Sequence, residues 1–257
     1  MNDLKPRLRI GYVTPHPLND TLQYDFYLMA PPGIMMMTAG QEINDYSREA
    51  VENQLPVLER RIESLMRRGA QRIVVSGVPV AISLGRERML RLLSEIETKW
   101  GVPADTDLEA IIAAVKYLGA SRVALATRWK DTLNNTLSAY LTEAGLDTAG
   151  VANSGRSMAE NAGLDDETGI RLAADLGREA ITKDTTAEAV IMPGGRWLTL
   201  GAVLELEQEF AIPVVVNHAA SLWAALKAAG IHEPITGWGR LMSTLNPDTK
   251  RRAYEQQ

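Results

Sequence analysis

The chain has 257 residues, of which 46% are hydrophobic and 23% charged, proportions that suit a folded core and exclude a disordered chain. A net charge of -5 excludes a nucleic-acid surface built on excess lysine and arginine, and zero cysteines exclude disulfides, thiolate metal ligands and thiol nucleophiles. The first residues lack the apolar run of a signal peptide and no stretch has the length of a membrane span, so a cytoplasmic protein without a membrane partner is expected.

Short, β-branched apolar runs bounded by turn residues predict buried parallel strands, and segments with apolar residues three or four apart predict the helices between them. The first strand is RIGYV at 9–13, followed by Thr14, Pro15 and His16. Segment 20–40 holds Tyr24, Asp25, Phe26 and Tyr27, then Pro31, Pro32, Gly33 and three methionines at 35–37. It reads as an extended or partly helical loop over a cleft: a lid or specificity wall, or else packing filler or a subunit interface. Val51, Leu55, Leu58, Ile62 and Leu65 mark a helix over 47–68, with Ser47 as its cap; the roles of Asp45 and Tyr46 before it stay open. Strand 72–75 leads into Ser76, Gly77, Val78 and Pro79. A helix over 108–118 precedes strand 122–126, which ends in Thr127, Arg128 and Trp129, and a helix over 132–143 follows. Strand 189–192 runs into Pro193, Gly194, Gly195 and Arg196; then come helix 200–210, strand 212–216 and helix 219–229, with Asn217 as a candidate N-cap.

The same order of segments occurs twice. Residues 9–14 align with 122–127, 73–77 with 190–194, 102–103 with 212–213 and 113–119 with 224–230. The expected fold is therefore α/β: two pseudosymmetric Rossmann-like lobes with parallel sheets and a central cleft. The first lobe spans 1–119 and the second 120–230, and the tail 231–257 packs back on the first, its last residues, 250–257, fraying. Ligands of open α/β sheets sit beyond the carboxyl ends of the strands, so the residues after each strand should line the cleft.

Several of these residues carry chemistry. Gly194 and Gly195 between a strand and a helix let the backbone approach an anion, and Arg196 can add a bidentate ion pair; a tight turn with a solvated arginine fits the same residues. Ser76 offers a hydroxyl and Gly77 an N–H in the matching turn, whereas Pro79 offers none. Thr14 and Thr127 end equivalent strands and suit a small carboxylate. His16 is the leading acid–base candidate, as against an exposed loop histidine. His218 follows Asn217 at a helix start and is a further candidate; His232 reads as structural, and the three histidines do not form a metal spacing.

The segments GASRVALAT at 119–127, PGGRWLTL at 193–200, IPVV at 212–215 and GWGRL at 237–241 resemble the arylmalonate decarboxylases and their relatives the maleate cis-trans isomerases, a branch of the aspartate/glutamate racemase superfamily. The resemblance runs from about 58 to 242 and is weak from 17 to 45. It implies the two-lobed fold and a cofactor-independent reaction at one or two cleft cysteines. The second-lobe cysteine falls on Gly194 and the first-lobe one on Val78 or Pro79; two hydroxyl residues and a tyrosine that bind a carboxylate in the decarboxylase fall on Val80, Ala81 and Trp129. Gly195 keeps a backbone donor, and Arg196 replaces a glycine.

The resulting expectation is a cysteine-independent lyase, isomerase or hydrolase of that type, acting on a small carboxylate or related carbonyl compound with no metal and no cofactor. His16 and Arg196 would be its catalytic residues, and Thr14, Pro15, Ser76, Gly77, Val78, Pro79, Val80, Thr127, Trp129, Gly194, Gly195 and His218 would contact substrate. The alternative is a non-catalytic ligand-binding or accessory protein on the same fold. A homo-oligomer is a general expectation for such a chain.

Overall fold

A computed structural model describes residues 5–17, 20–156, 160–161, 163–233 and 235–245. The first lobe runs β1 (Leu8–Thr14), α1 (Asp20–Met29), β2 (Ile34–Gly40), α2 (Arg48–Asn53), α3 (Leu55–Arg67), β3 (Arg72–Val75), α4 (Val78–Leu84), α5 (Arg86–Trp100), β4 (Ala104–Thr106) and α6 (Asp107–Tyr117). The second runs β5 (Arg122–Thr127), α7 (Asp131–Glu143), β6 (Asp147–Asn153), α8 (Asp166–Lys183), β7 (Ala189–Met192), α9 (Leu200–Phe210), β8 (Val214–Val216) and α10 (Asn217–Ala228), and α11 (Gly239–Ser243) follows.

Both sheets are four-stranded and wholly parallel, in the orders β2-β1-β3-β4 and β6-β5-β7-β8. The orders are the same path traced twice, so the repeat in the sequence is a repeat in the fold. The central strands β1, β3, β5 and β7 are buried along nearly their whole length, as strands covered by helices must be.

Segment 20–40 is not a loop. It is helix α1 followed by strand β2, which pairs with β1 from Leu8↔Ile34 to Thr14↔Gly40. Met36 and Met37 are buried there while Met35 is exposed. Methionine is a poor marker of strands, which hid the element. The helix expected over 47–68 is broken into α2 and α3 at Gln54, because Pro56 at the start of α3 has no N–H to continue the ladder. Ser47 caps α2, its hydroxyl accepting from the Ala50 N–H at 3.3 Å.

The lobes meet along α6 and α10, the helices that follow the last strand of each sheet, with α1 also packed on α10. Two polar seams cross this junction in related places. Asp25 of α1 meets His218 of α10 at 2.7 Å, both side chains buried. Tyr140 of α7 donates to Glu109 of α6 at 3.0 Å, and Arg86 holds the same carboxylate through two nitrogens at 3.0 and 3.1 Å. Of the tail, α11 rests on α9, α10 and β8 of the second lobe, while Glu233 pairs with Arg7 of the first; residues 246–257 lie outside the described residues. Among the described residues no helix is long and apolar enough to cross a membrane.

Candidate active site

A cleft of about 240 Å³ opens at the carboxyl ends of the strands, between the lobes. Pro15 and His16 after β1, Tyr46 before α2, and Ser76, Gly77, Val78 and Pro79 after β3 form the first-lobe wall. Arg128 and Trp129 after β5, Gly194, Gly195, Arg196 and Trp197 after β7, and Asp165 and Asp166 at the start of α8 form the second.

The first-lobe wall carries a phenol–imidazole pair. The Tyr46 hydroxyl lies 3.0 Å from His16 Nε2, and the two rings meet edge to face. Burial pushes the Tyr46 phenol up to about 12, with the positive charge of Arg196 opposing the shift. Burial, and then the Arg196 charge, push the His16 imidazole below its ordinary value. At neutral pH the pair is therefore a protonated phenol beside a neutral imidazole, the phenol donating in the tautomer that leaves Nε2 without a proton. The turn is fixed from both sides: Thr14 Oγ1 donates to the His16 carbonyl at 2.7 Å, and Ser83 Oγ donates to the Tyr46 carbonyl.

The second-lobe wall carries two arginines, Arg128 and Arg196, beside Asp165 and Asp166. The Arg128 guanidinium lies 5.3 Å from the centre of the Trp197 ring and donates to the carbonyls of Asn161 at 3.3 Å and Arg196 at 2.5 Å. Burial, and then the neighbouring Arg196 charge, lower Arg128 to about 10. Among the described residues no carboxylate pairs with Arg128 or Arg196, and the N–H groups of Gly195 and Arg196 meet no acceptor. Two guanidinium groups and two open N–H donors on one wall are groups that can hold an anion.

The turns below the two walls are related by the pseudo-two-fold. Gly77 and Gly194 each lie two residues past a strand, with φ of 112° and 120°, a region that favours glycine. The Gly77 N–H donates to Asp107 at 2.9 Å and the Gly194 N–H to Asn217 at 3.3 Å, the first residues of α6 and α10. Asn217 is thus the first residue of α10 and holds a cleft turn; it is not the helix cap. The symmetry also pairs Gly194 with Gly77.

Of the residues singled out in the sequence, Pro15, His16, Ser76, Gly77, Val78, Pro79, Trp129, Gly194, Gly195 and Arg196 come together on the cleft. Four stand elsewhere. Thr14 is buried with its hydroxyl on the His16 carbonyl. Thr127 is buried, donating to Asn134 at 2.8 Å and accepting from the Trp129 N–H at 3.2 Å. Val80 is buried in α4, and His218 is sealed in the lobe junction against Asp25. These two threonines shape the turns that present His16 and Trp129. Tyr46 and Arg128 face the cleft without having been assigned a role from the sequence.

A sequence model of the arylmalonate decarboxylase family matches residues 17–242. The arylmalonate decarboxylase of Bordetella bronchiseptica is 26% identical over 211 residues, which cover 82% of this chain and 87% of the relative. A crystal structure of arylmalonate decarboxylase superposes with a TM-score of 0.78 at 26% identity, covering 92% of this chain and 99% of the other. The maleate isomerase Iso from Pseudomonas putida S16 gives a TM-score of 0.78 at 20% identity, covering 93% and 99%, a likeness of fold. With the family model spanning most of its length, this chain belongs to the arylmalonate decarboxylase family.

Proposed function

We propose that the protein is a cofactor-independent enzyme of the decarboxylase and isomerase type that acts on a small carboxylate without a thiol. The observation that carries the reading is the Tyr46–His16 hydrogen bond of 3.0 Å on a cleft whose opposite wall holds two arginines with no carboxylate partner among the described residues. The substrate carboxylate lies against Arg196 and Arg128 and accepts from the Gly195 N–H. Charge that develops on it as an enediolate forms is stabilised there by groups already in place. The proton moves on the other wall. A proton leaving the carbon next to the carboxylate goes to the Tyr46 oxygen as the phenol's own proton goes to His16 Nε2, and the reverse transfer delivers a proton to an enediolate carbon. Decarboxylation, in which a carboxyl group leaves as CO2 and the enediolate carbon takes a proton, and racemisation, in which that carbon loses and regains one, share this polar frame, and the reaction class follows from the substrate.

The test is proton exchange in deuterated buffer, followed by NMR, at the carbon next to the carboxylate in a panel of arylacetates and malonates. The expected result is exchange or turnover of at least one compound by the wild type, slowed about 100-fold or more in Tyr46→Phe with KM little changed. Full activity in Tyr46→Phe would remove the phenol from the mechanism. A second reading, a ligand-binding protein that has lost the chemistry, is favoured by the absence of any cysteine from the chain and predicts tight binding with no exchange of any compound.

A further inference from the structure

The two walls of the cleft differ in the charge they can accept, and the difference originates beneath the first wall. Asp107 is buried at the start of α6, 1% exposed. Its Oδ2 accepts from Ser76 Oγ at 2.6 Å and from the Gly77 N–H at 2.9 Å, and its Oδ1 accepts from Ser221 Oγ of α10 at 2.6 Å. Among the described residues no lysine, arginine or histidine pairs with it. The Ser76 proton therefore points back to Asp107, and only lone pairs of Ser76 Oγ face the cleft. The Gly77 N–H is turned away as well, and Pro79 has none. What remains on this wall is the N–H of Val78, at the start of α4, the Thr21 hydroxyl and the Tyr46–His16 pair, all neutral groups. On the second-lobe side the residue matching Asp107 is Asn217, an uncharged amide, and the arginines stand above it.

Resting on the carboxylate-cleft reading above, we propose that the substrate is a monocarboxylate, its single anion held by Arg128 and Arg196 and its other end a neutral polar group, such as a carboxamide, set against Ser76. A carboxamide fits that wall: its N–H donates to the Ser76 oxygen and its carbonyl accepts from Val78. A second carboxylate there would have no hydrogen to give Ser76 and would stand about 5 Å from the buried Asp107 charge, given ordinary hydrogen-bond lengths. At an effective dielectric of about 20 that repulsion weakens binding by about tenfold or more.

The experiment is titration calorimetry near neutral pH with two matched pairs, maleate against its monoamide and phenylmalonate against its monoamide, on wild type and Asp107→Asn. The expected result is that at least one monoamide binds the wild type about tenfold or more tighter than its dicarboxylate, with the ratio falling in Asp107→Asn because dicarboxylate binding improves. A dicarboxylate that binds as tightly as its monoamide overturns this inference and leaves the carboxylate cleft standing. A folded Asp107→Asn with an unchanged ratio overturns the role of Asp107. If that variant does not fold, the wild-type ratio decides alone. Failure of all four ligands to bind overturns the carboxylate-cleft reading and this inference together.

Discussion

The chemistry of the cleft comes down to a few side chains whose charge is set by burial and by Arg196. His16 and Arg196 were legible because each follows an apolar run that must be a strand, and residues after such strands face the ligand side. Tyr46 was not. It lies 30 residues from His16, and the two meet because the chain leaving β2 runs alongside the chain leaving β1: Gln41 N–H donates to the Thr14 carbonyl at 2.8 Å and Ile43 N–H to the Pro15 carbonyl at 2.9 Å. No local pattern encodes that pairing. His16 also predicts a pH dependence. Its folded value is lowered, so between that value and about 6.5 the folded state binds fewer protons than the unfolded one. Stability from this group is present above the unfolded value, is lost as pH falls through that window, and changes no further below it. A histidine NMR titration is expected to place His16 below the ordinary value in wild type and to move it upward in Arg196→Ala, which removes a positive neighbour. A His16 titration unchanged by that substitution would mean that the Arg196 charge does not reach the imidazole.

At the level of elements, the strands found from sequence were mainly the central ones, with near-continuous apolar runs; the missed ones were β2, β4 and β6. The β6 sequence alternates half-buried and buried positions, contains Gly150, and lies at a sheet edge, so its pattern is weak. Helix α8 was missed for a related reason. Its inner face is built from Ala173, Ala174, Gly177 and Ala180, small residues that allow close approach and give little apolar periodicity. A Cβ on Gly150 would stand 1.9 Å from the Ala180 carbonyl oxygen, so α8 must move to admit it. Gly150→Ala is expected to destabilise the protein by about 1–3 kcal/mol in urea unfolding. Gly169→Ala, within α8 and with open space around the new carbon, is expected to be stabilising by about 0.5–1 kcal/mol. Equal effects of the two would contradict close packing of α8 on β6.

At the level of the whole molecule, duplication explains both what was readable and what was added. Two copies of one α/β path gave the repeat in the sequence, and their junction gave the cleft. The copies then diverged in charge. The equivalent helix starts carry Asp107 and Asn217, and the arginines stand on one wall only. The seams that hold the lobes, Asp25 with His218 and Tyr140 with Glu109, join residues far apart in sequence, which is why His218 looked like a cleft residue when read beside its neighbours. Leaving one group of a buried hydrogen bond of this kind without its partner costs about 1–3 kcal/mol, so these contacts help to hold the lobes together without touching the cleft.

The measurement that tests the account most directly is the melting temperature of wild type and Arg196→Ala with small carboxylates, malonates and carboxylate monoamides. A ligand of the folded state raises the melting temperature by mass action, by about 2.7 kcal/mol of stability at a concentration 100 times its Kd. A concentration-dependent rise is expected for at least one carboxylate in wild type, lost or strongly reduced in Arg196→Ala. A rise of equal size in both proteins, or no rise with any carboxylate, would contradict an anion site at this cleft.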